Sequence, residues 1–233
     1  MCAPPSIFLF NARSVLPKLD DLCVSISAFK PDIVFVTETW LTDDIDDVVL
    51  AIPRFGLLRS DRLNRRGGGV CAWFHESLKP SILSTSRLCP SSIESLFLQL
   101  RSGSFRYFLF LLYIPPGLPK QEHDDIVLFM THSLDDAMNI DPDARILVCG
   151  DFNDFPQLFL SEQFGLLKKV HSPTRGSAIL DQILVDCDLC DAYESSASIG
   201  PPIKNSDHCT IFLRPLVGKK HDFNQTFVYV WDF

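Results

Sequence analysis

Three polar residues that could do chemistry, Asp151, Asn153 and Asp154, crowd the end of an apolar run in VCGDFND (148–154). Gly, Asp and Asn are common turn residues, so a plain strand-to-turn junction is one reading of the stretch. Carboxylates beside amides can also hold a hard cation and a phosphate together. Other apolar runs end in the same way. IFLF (7–10) runs into Asn11, DIVFV (32–36) into Thr37 and Glu38, and YFLFLLY (107–113) closes on Tyr113. CTIFL (209–213) starts directly after Ser206, Asp207 and His208. Turn chemistry accounts for Asp151 and Asn153 singly, but not for Glu38, Tyr113 or His208, which are poor turn formers.

A mixed sheet that brought these ends to one edge would gather carboxylates, amides, a phenol and an imidazole. Glu38 and Asp207 suit Mg²⁺, which takes oxygen ligands and keeps several waters. Such a cation polarises a phosphoryl oxygen and stabilises a leaving alkoxide. Asn11 and Asn153 offer amide donors to phosphate oxygens without adding negative charge. His208 could take a proton from water if a carboxylate held its other ring nitrogen. Asp181, alone among apolar residues in ILDQILV (179–185), needs a partner and fits that task. Asp151 could position the attacking water. The chemistry that follows is metal-assisted phosphodiester hydrolysis.

The positioning elements are read from periodicity. Further strands are expected at GVCAWF (69–74), SLFLQL (95–100) and RILVCG (145–150). Several are apolar at every position, as in strands covered on both faces. Helical spacing of Leu19, Leu22, Cys23, Ile26 and Phe29 predicts a helix over 17–29, with Pro17 in its first turn. Ile126, Phe129, Met130, Leu134 and Ala137 predict a second helix over 124–138. Many strands with few helices point to an α/β fold of two packed sheets flanked by helices. One domain is expected over 1–215, with a short tail over 216–233.

Bulk properties bound the function. The chain has 233 residues, 46% of them hydrophobic, enough for a sizeable core. No apolar run approaches the roughly 20 residues of a membrane helix, and SIFLF (6–10) is too short for a signal peptide. An intracellular protein, nuclear or cytoplasmic and neither secreted nor membrane-spanning, is expected. Cysteines such as Cys71 and Cys149 lie in apolar runs, the usual seats of reduced thiols. Cys187 and Cys190 form a C-x-x-C without the second ligand pair that zinc requires. The net charge of −8 argues against nucleic acid as a partner, but weakly. Charges more than about 8 Å away are largely screened at physiological salt. The acidic runs at 42–47 and 122–125 read as solvated surface, as does Tyr193. Basic residues group at Arg59, Arg62, Arg65 and Arg66, at Lys168–Lys169 and at Lys219–Lys220. A hairpin carrying Arg65 and Arg66 beside Gly67–Gly69 reads equally well as a rider on DNA phosphates or as a solvated loop. Trp40 reads as packing beneath the site, with contact to nucleic acid as the alternative.

NARS, TETWL, YIPP, GDFN, PTR, LDQIL and SDH stand in the order found in the endonuclease/exonuclease/phosphatase superfamily. Over residues 6–214 the set most resembles the endonuclease domain of non-LTR (LINE-type) retrotransposons, which is similar to apurinic/apyrimidinic endonucleases. The resemblance implies a DNase I-like four-layer α/β sandwich and a Mg²⁺-dependent nuclease, with Mn²⁺ able to substitute. It places Glu38 and Asp207 at the metal, with Asn11 in their network. It places Tyr113, Asn153 and Thr174 at the scissile phosphate, Asp151 on the water, His208 with Asp181 as base or phosphate stabiliser, and Ser206 as a buttress. Thr174 follows from the resemblance alone.

Repair-type members carry a second acidic residue in N-x-D. Here Arg13 takes that place, as in the retrotransposon branch, and is assigned with Arg65 and Arg66 to the substrate. Retrotransposon domains often have Arg after the Tyr of Y-x-P-P, where this chain has Ile114. The segment between GDFN and PTR is short, which could trim a loop involved in target choice. FVYVWDF (227–233) resembles the link towards a reverse transcriptase. DNA is the implied partner and a fused reverse transcriptase the implied context. A phosphoesterase of the same fold acting on abasic DNA, RNA or phospholipid head groups is the rival reading, and a non-catalytic, co-opted copy is another.

Overall fold

A computed structural model describes residues 3–63 and 65–216. The tail motif at 227–233 and Lys219–Lys220 lie outside the described residues. The strands are β1 (Ile7–Asn11), β2 (Ile33–Thr37), β3 (Phe55–Ser60), β4 (Val70–His75), β5 (Ser81–Ile82) and β6 (Glu94–Ser102). They continue with β7 (Phe105–Tyr113), β8 (Arg145–Asp151), β9 (Leu167–Lys168), β10 (Asp181–Val185), β11 (Ser198–Gly200) and β12 (Thr210–Leu213). The α-helices are α1 (Leu19–Phe29), α2 (Lys120–Ile140), α3 (Leu158–Phe164) and α4 (Cys187–Cys190).

Two six-stranded sheets form among the described residues, in the orders β11-β12-β1-β2-β4-β3 and β5-β6-β7-β8-β10-β9. Both are mixed. The parallel pairs β1–β2 and β7–β8 sit inside otherwise antiparallel neighbours. Side chains alternate between the two faces of a strand, so each sheet can face two apolar layers. Leu109, Leu111 and Tyr113 of β7 meet Ile7, Leu9, Ile33 and Phe35 in the layer between the sheets. The alternate residues Phe108, Phe110 and Leu112 pack against Phe129, Met130 and Leu134 of α2. Phe8 and Phe10 of β1 and Val34 and Val36 of β2 pack against Leu22 and Ile26 of α1. The result is the expected four-layer α/β sandwich. It explains why the central strands are apolar throughout.

The expected elements appear with shifts at their ends. Pro17 falls in a 3-10 turn at Leu16–Lys18, ahead of α1. Proline suits a turn start because it has no N–H to leave unpaired. Lys30, at φ +50, closes α1. The second helix is longer than its apolar stripe, reaching from Lys120 to Ile140. Among the described residues no helix is long and apolar enough to cross a membrane. Tyr193 is buried rather than on the surface, its hydroxyl donating to the Pro5 carbonyl at 2.7 Å. Lys169 is buried too, its ammonium donating to the carbonyls of Cys190 and Glu194.

Candidate active site

Strand register builds the site. In the second sheet Glu94 pairs with Tyr113, Tyr113 with Asp151, and Asp151 with Asp181. Directly paired residues point to the same face, so these four side chains form one row across β6, β7, β8 and β10. Their face is the inner one, since Leu111, Cys149 and Ile183, two residues along, lie in the inter-sheet core. In the first sheet Asn11 pairs with Thr37 at the same end of the sandwich. The inner layer is thus apolar throughout its depth and turns polar at its last row.

Asn11 joins the sheets. Its Nδ2 donates to Asp151 Oδ2 at 2.8 Å and to Glu38 Oε1 at 3.1 Å. Its backbone carbonyl accepts the Ser206 hydroxyl at 2.8 Å, and Ser206 Oγ accepts the His208 N–H at 3.2 Å. The chain therefore folds His208 back onto β10, where Nδ1 meets Asp181 Oδ2 at 2.7 Å with both side chains buried. This pairing fixes the imidazole's orientation and leaves its other nitrogen for chemistry. Ligand atoms of Asp151, Asp181 and His208 all lie within 4.8 Å of one another.

Two glycines make the close approach feasible. Gly150, in β8 at φ +140, would set a Cβ 1.8 Å from the Leu112 carbonyl oxygen. Gly68, at φ +67, would set one 2.3 Å from the Arg62 guanidinium carbon. Beyond Gly150 the chain turns, as one reading of the stretch expects. Asn153, at φ +48, donates its N–H to Asp151 Oδ1 at 3.0 Å and its side-chain amide to the Ile114 carbonyl at 2.8 Å. Asp154 accepts from the Gly117 N–H, a turn brace in solvent.

Burial and charge tune the groups. Burial, with the Asp181 charge beside it, raises Asp151 to about 7, although His208, Asn11 and Asn153 pull the other way. Burial alone would lower His208, but the Asp181 hydrogen bond and the charges of Asp181, Asp151 and Asp207 outweigh it and raise the imidazole. Tyr113 is raised by burial, by the Glu38 charge and by its hydrogen bond to Glu38, so its phenol stays protonated. Asp207 is also opposed by burial. Its own backbone N–H and the guanidiniums of Arg13 and Arg175 prevail and hold it below the usual carboxylate range.

Most residues assigned from the sequence meet at this edge. Glu38 is half-buried at φ +50, with Oε2 accepting the Trp40 Nε1–H at 3.1 Å. Trp40 is therefore a rim residue, not a floor. Thr174 is buried, its hydroxyl oxygen accepting from the Leu180 and Asp181 N–H groups, which leaves its own hydrogen free to donate. Arg13 contacts Asp207 at 3.2 Å. Arg65 and Arg66 are exposed, with the Arg66 guanidinium 5.2 Å from the Trp40 ring. Two further participants were not assigned. Arg175, inside the quoted PTR, reaches Asp207 at 2.6 Å. Arg62, read only as one of the basic cluster at 59–66, is largely withdrawn from solvent on Glu94.

Hard-cation chemistry fits this donor set. Four carboxylates, Glu38, Asp151, Asp181 and Asp207, stand at one edge, and Asp181 Oδ1 is buried with no hydrogen-bond partner. A buried carboxylate oxygen left unpaired is costly, and a cation or a bound donor would satisfy it.

The model of the endonuclease/exonuclease/phosphatase family matches residues 8–208. No curated protein matches the sequence. The endonuclease domain of TRAS1, a telomere-specific non-LTR retrotransposon, superposes with a TM-score of 0.69 at 14% identity, over 93% of this chain and 100% of that one. An AP endonuclease from Archaeoglobus fulgidus gives 0.64 at 15% identity, over 91% and 99%. A Neisseria 3′ phosphatase bound to a product DNA hairpin gives 0.65 at 14% identity, over 91% and 99%. With the match spanning nearly every element that frames this edge, the chain belongs to the endonuclease/exonuclease/phosphatase family of phosphoester hydrolases.

Proposed function

We propose that the chain is a Mg²⁺-dependent DNA endonuclease of retrotransposon type. It nicks one strand to leave a 3′-hydroxyl, which can prime reverse transcription, and a 5′-phosphate. The observation that carries this reading is the continuous network Glu38–Asn11–Asp151, set beside His208–Asp181, across two sheets. Likeness in fold to a retrotransposon endonuclease domain supports it, as does Arg13 in the place of a second acidic residue. A fused reverse transcriptase is the natural context.

Glu38 and Asp207 would hold Mg²⁺, or Mn²⁺ in its place, which would polarise a phosphoryl oxygen and stabilise the leaving alkoxide. Asp151 accepts the proton of the attacking water. A carboxylate raised to about 7 is a better base at neutral pH than an ordinary one. The water oxygen bonds to phosphorus, the bond from phosphorus to the 3′-oxygen breaks, and solvent protonates that oxygen. His208, fixed through Nδ1 by Asp181, offers positive charge to the phosphate, and Asn153 and Thr174 offer donors to its oxygens. Arg65 and Arg66 bind neighbouring phosphates, and Ser206 holds the turn that carries Asp207 and His208.

Supercoiled plasmid with Mg²⁺ is expected to relax to nicked circles, and EDTA is expected to stop this. Asp207→Ala, confirmed folded by circular dichroism, should lose at least about a hundredfold in rate. Absence of Mg²⁺-dependent nicking by the wild-type protein, together with hydrolysis of abasic, RNA or phospholipid substrates, would move the assignment to one of those.

A further inference from the structure

Beside the catalytic row lies a largely buried ion pair that the mechanism above does not use. Arg62 follows β3 and Glu94 opens β6, so the pair spans the two sheets. Its side chains are only 10% and 6% exposed. Arg62 donates from Nε to Glu94 Oε1 at 2.5 Å and from Nη2 to Oε2 at 2.8 Å, a fork that fixes orientation as well as distance. Glu94 Oε2 also takes the Gly69 N–H at 3.4 Å. The Arg62 guanidinium stands 5.4 Å from the centre of the Tyr113 ring, and Glu94 is the register partner of Tyr113. A side chain at Gly68 would collide with that guanidinium, so the glycine run admits it.

Stability alone does not call for such a pair, because replacing a buried ion pair with apolar residues of similar volume is often neutral or stabilising. Its placement is informative. It anchors the loop that carries Arg65 and Arg66, and it backs the ring whose phenol meets Glu38. We infer that Arg62 and Glu94 form a positioning clamp, which ties the sheets at the catalytic edge and holds Tyr113 in register with Glu38. Neither residue touches substrate; both act through Tyr113. The kinetic consequence rests on the nuclease reading, and the structural one does not.

The double variant Arg62→Leu/Glu94→Leu removes both charges and keeps bulk, so a folded protein is expected. Its kcat for nicking should fall roughly ten- to a hundredfold, as small misplacements of site groups do, with KM changing less than about threefold. In a Tyr113→Phe background the same double change should cost almost nothing further, because residues acting as one unit are not additive. A wild-type kcat, or a loss that adds in full to that of Tyr113→Phe, overturns the clamp.

A second readout needs no activity. With ¹³C-labelled tyrosine, the Tyr113 signal, assigned by its loss in Tyr113→Phe, should shift or broaden in the double variant. It should do so also in Arg62→Lys, which keeps the charge without the fork. An unmoved signal in both overturns the clamp. If wild-type protein nicks no DNA yet the signal responds, the nuclease reading fails and the clamp stands. If the double variant does not fold, Arg62→Lys carries both readings.

Discussion

A carboxylate buried beside another carboxylate is poorly placed for stability, and Asp151 is in that position. Its folded-state value of about 7 lies above the ordinary 3.8, chiefly through burial. The folded protein therefore holds a proton that the unfolded chain has released between those values. Stability contributed by this group is present below about pH 4 and is lost as pH rises towards 7. His208, also raised, adds to the loss in the same direction over its own higher range. Asp151→Asn removes the charge while an amide oxygen can still accept from Asn11. It is expected to stabilise the protein at pH 8 in EDTA by on the order of 2 kcal/mol, and by much less at pH 4.5, while abolishing nicking. Urea unfolding at the two pH values measures this. Equal stability at both would mean that Asp151 is not strained by its site.

The strands that carry these residues have their own constraint, visible at Gly150. Its φ of +140 and the 1.8 Å gap from a would-be Cβ to the Leu112 carbonyl leave no room for a side chain where β7 and β8 run parallel. Gly150→Ala should cost about 3 kcal/mol or more, since backbone cannot yield as a side chain can. Gly117→Ala, at φ +71 with nothing nearby, should cost about 1 kcal/mol. Thermal unfolding ranks the two, and comparable losses would contradict the steric account. The same strands show what a sequence can display. β1, β2, β7, β8, β10 and β12 are apolar on both faces because helices or the partner sheet cover both, so their runs stand out. β3, FGLLRS, is only partly covered along its length and carries no such run. β5 and β9 are two residues each and exist through their partners. At the site, residues ending apolar strands were legible because polar groups at buried ends are rare. Arg62, Arg175 and Tyr193 were not. Where the polar end of an arginine or a tyrosine goes is decided by a partner distant in sequence, Glu94, Asp207 or Pro5.

For the molecule as a whole, a net charge of −8 sets a repulsive background against a polyanion, so the proposed DNA binding must come from where the cations stand. Arg13 and Arg175 are engaged by Asp207, which leaves their charge partly spent. Arg66, exposed as they are, lies instead on the face of Trp40 beside Glu38. A guanidinium braced by an indole loses less freedom on meeting a phosphate. At the opposite end, where β6 turns into β7, Lys79, Arg101 and Arg106 line a separate cavity of about 370 Å³. The two basic regions make opposing predictions. If DNA lies across the catalytic edge, Arg66→Ala should weaken duplex binding in EDTA and reduce the slope of log affinity against log salt by about 0.9, one phosphate contact. Lys79→Ala should leave the slope unchanged. Fluorescence anisotropy over a salt series reads both. A slope that answers to Lys79 and ignores Arg66 would place the nucleic acid at the far end of the sandwich, away from Asp151 and His208.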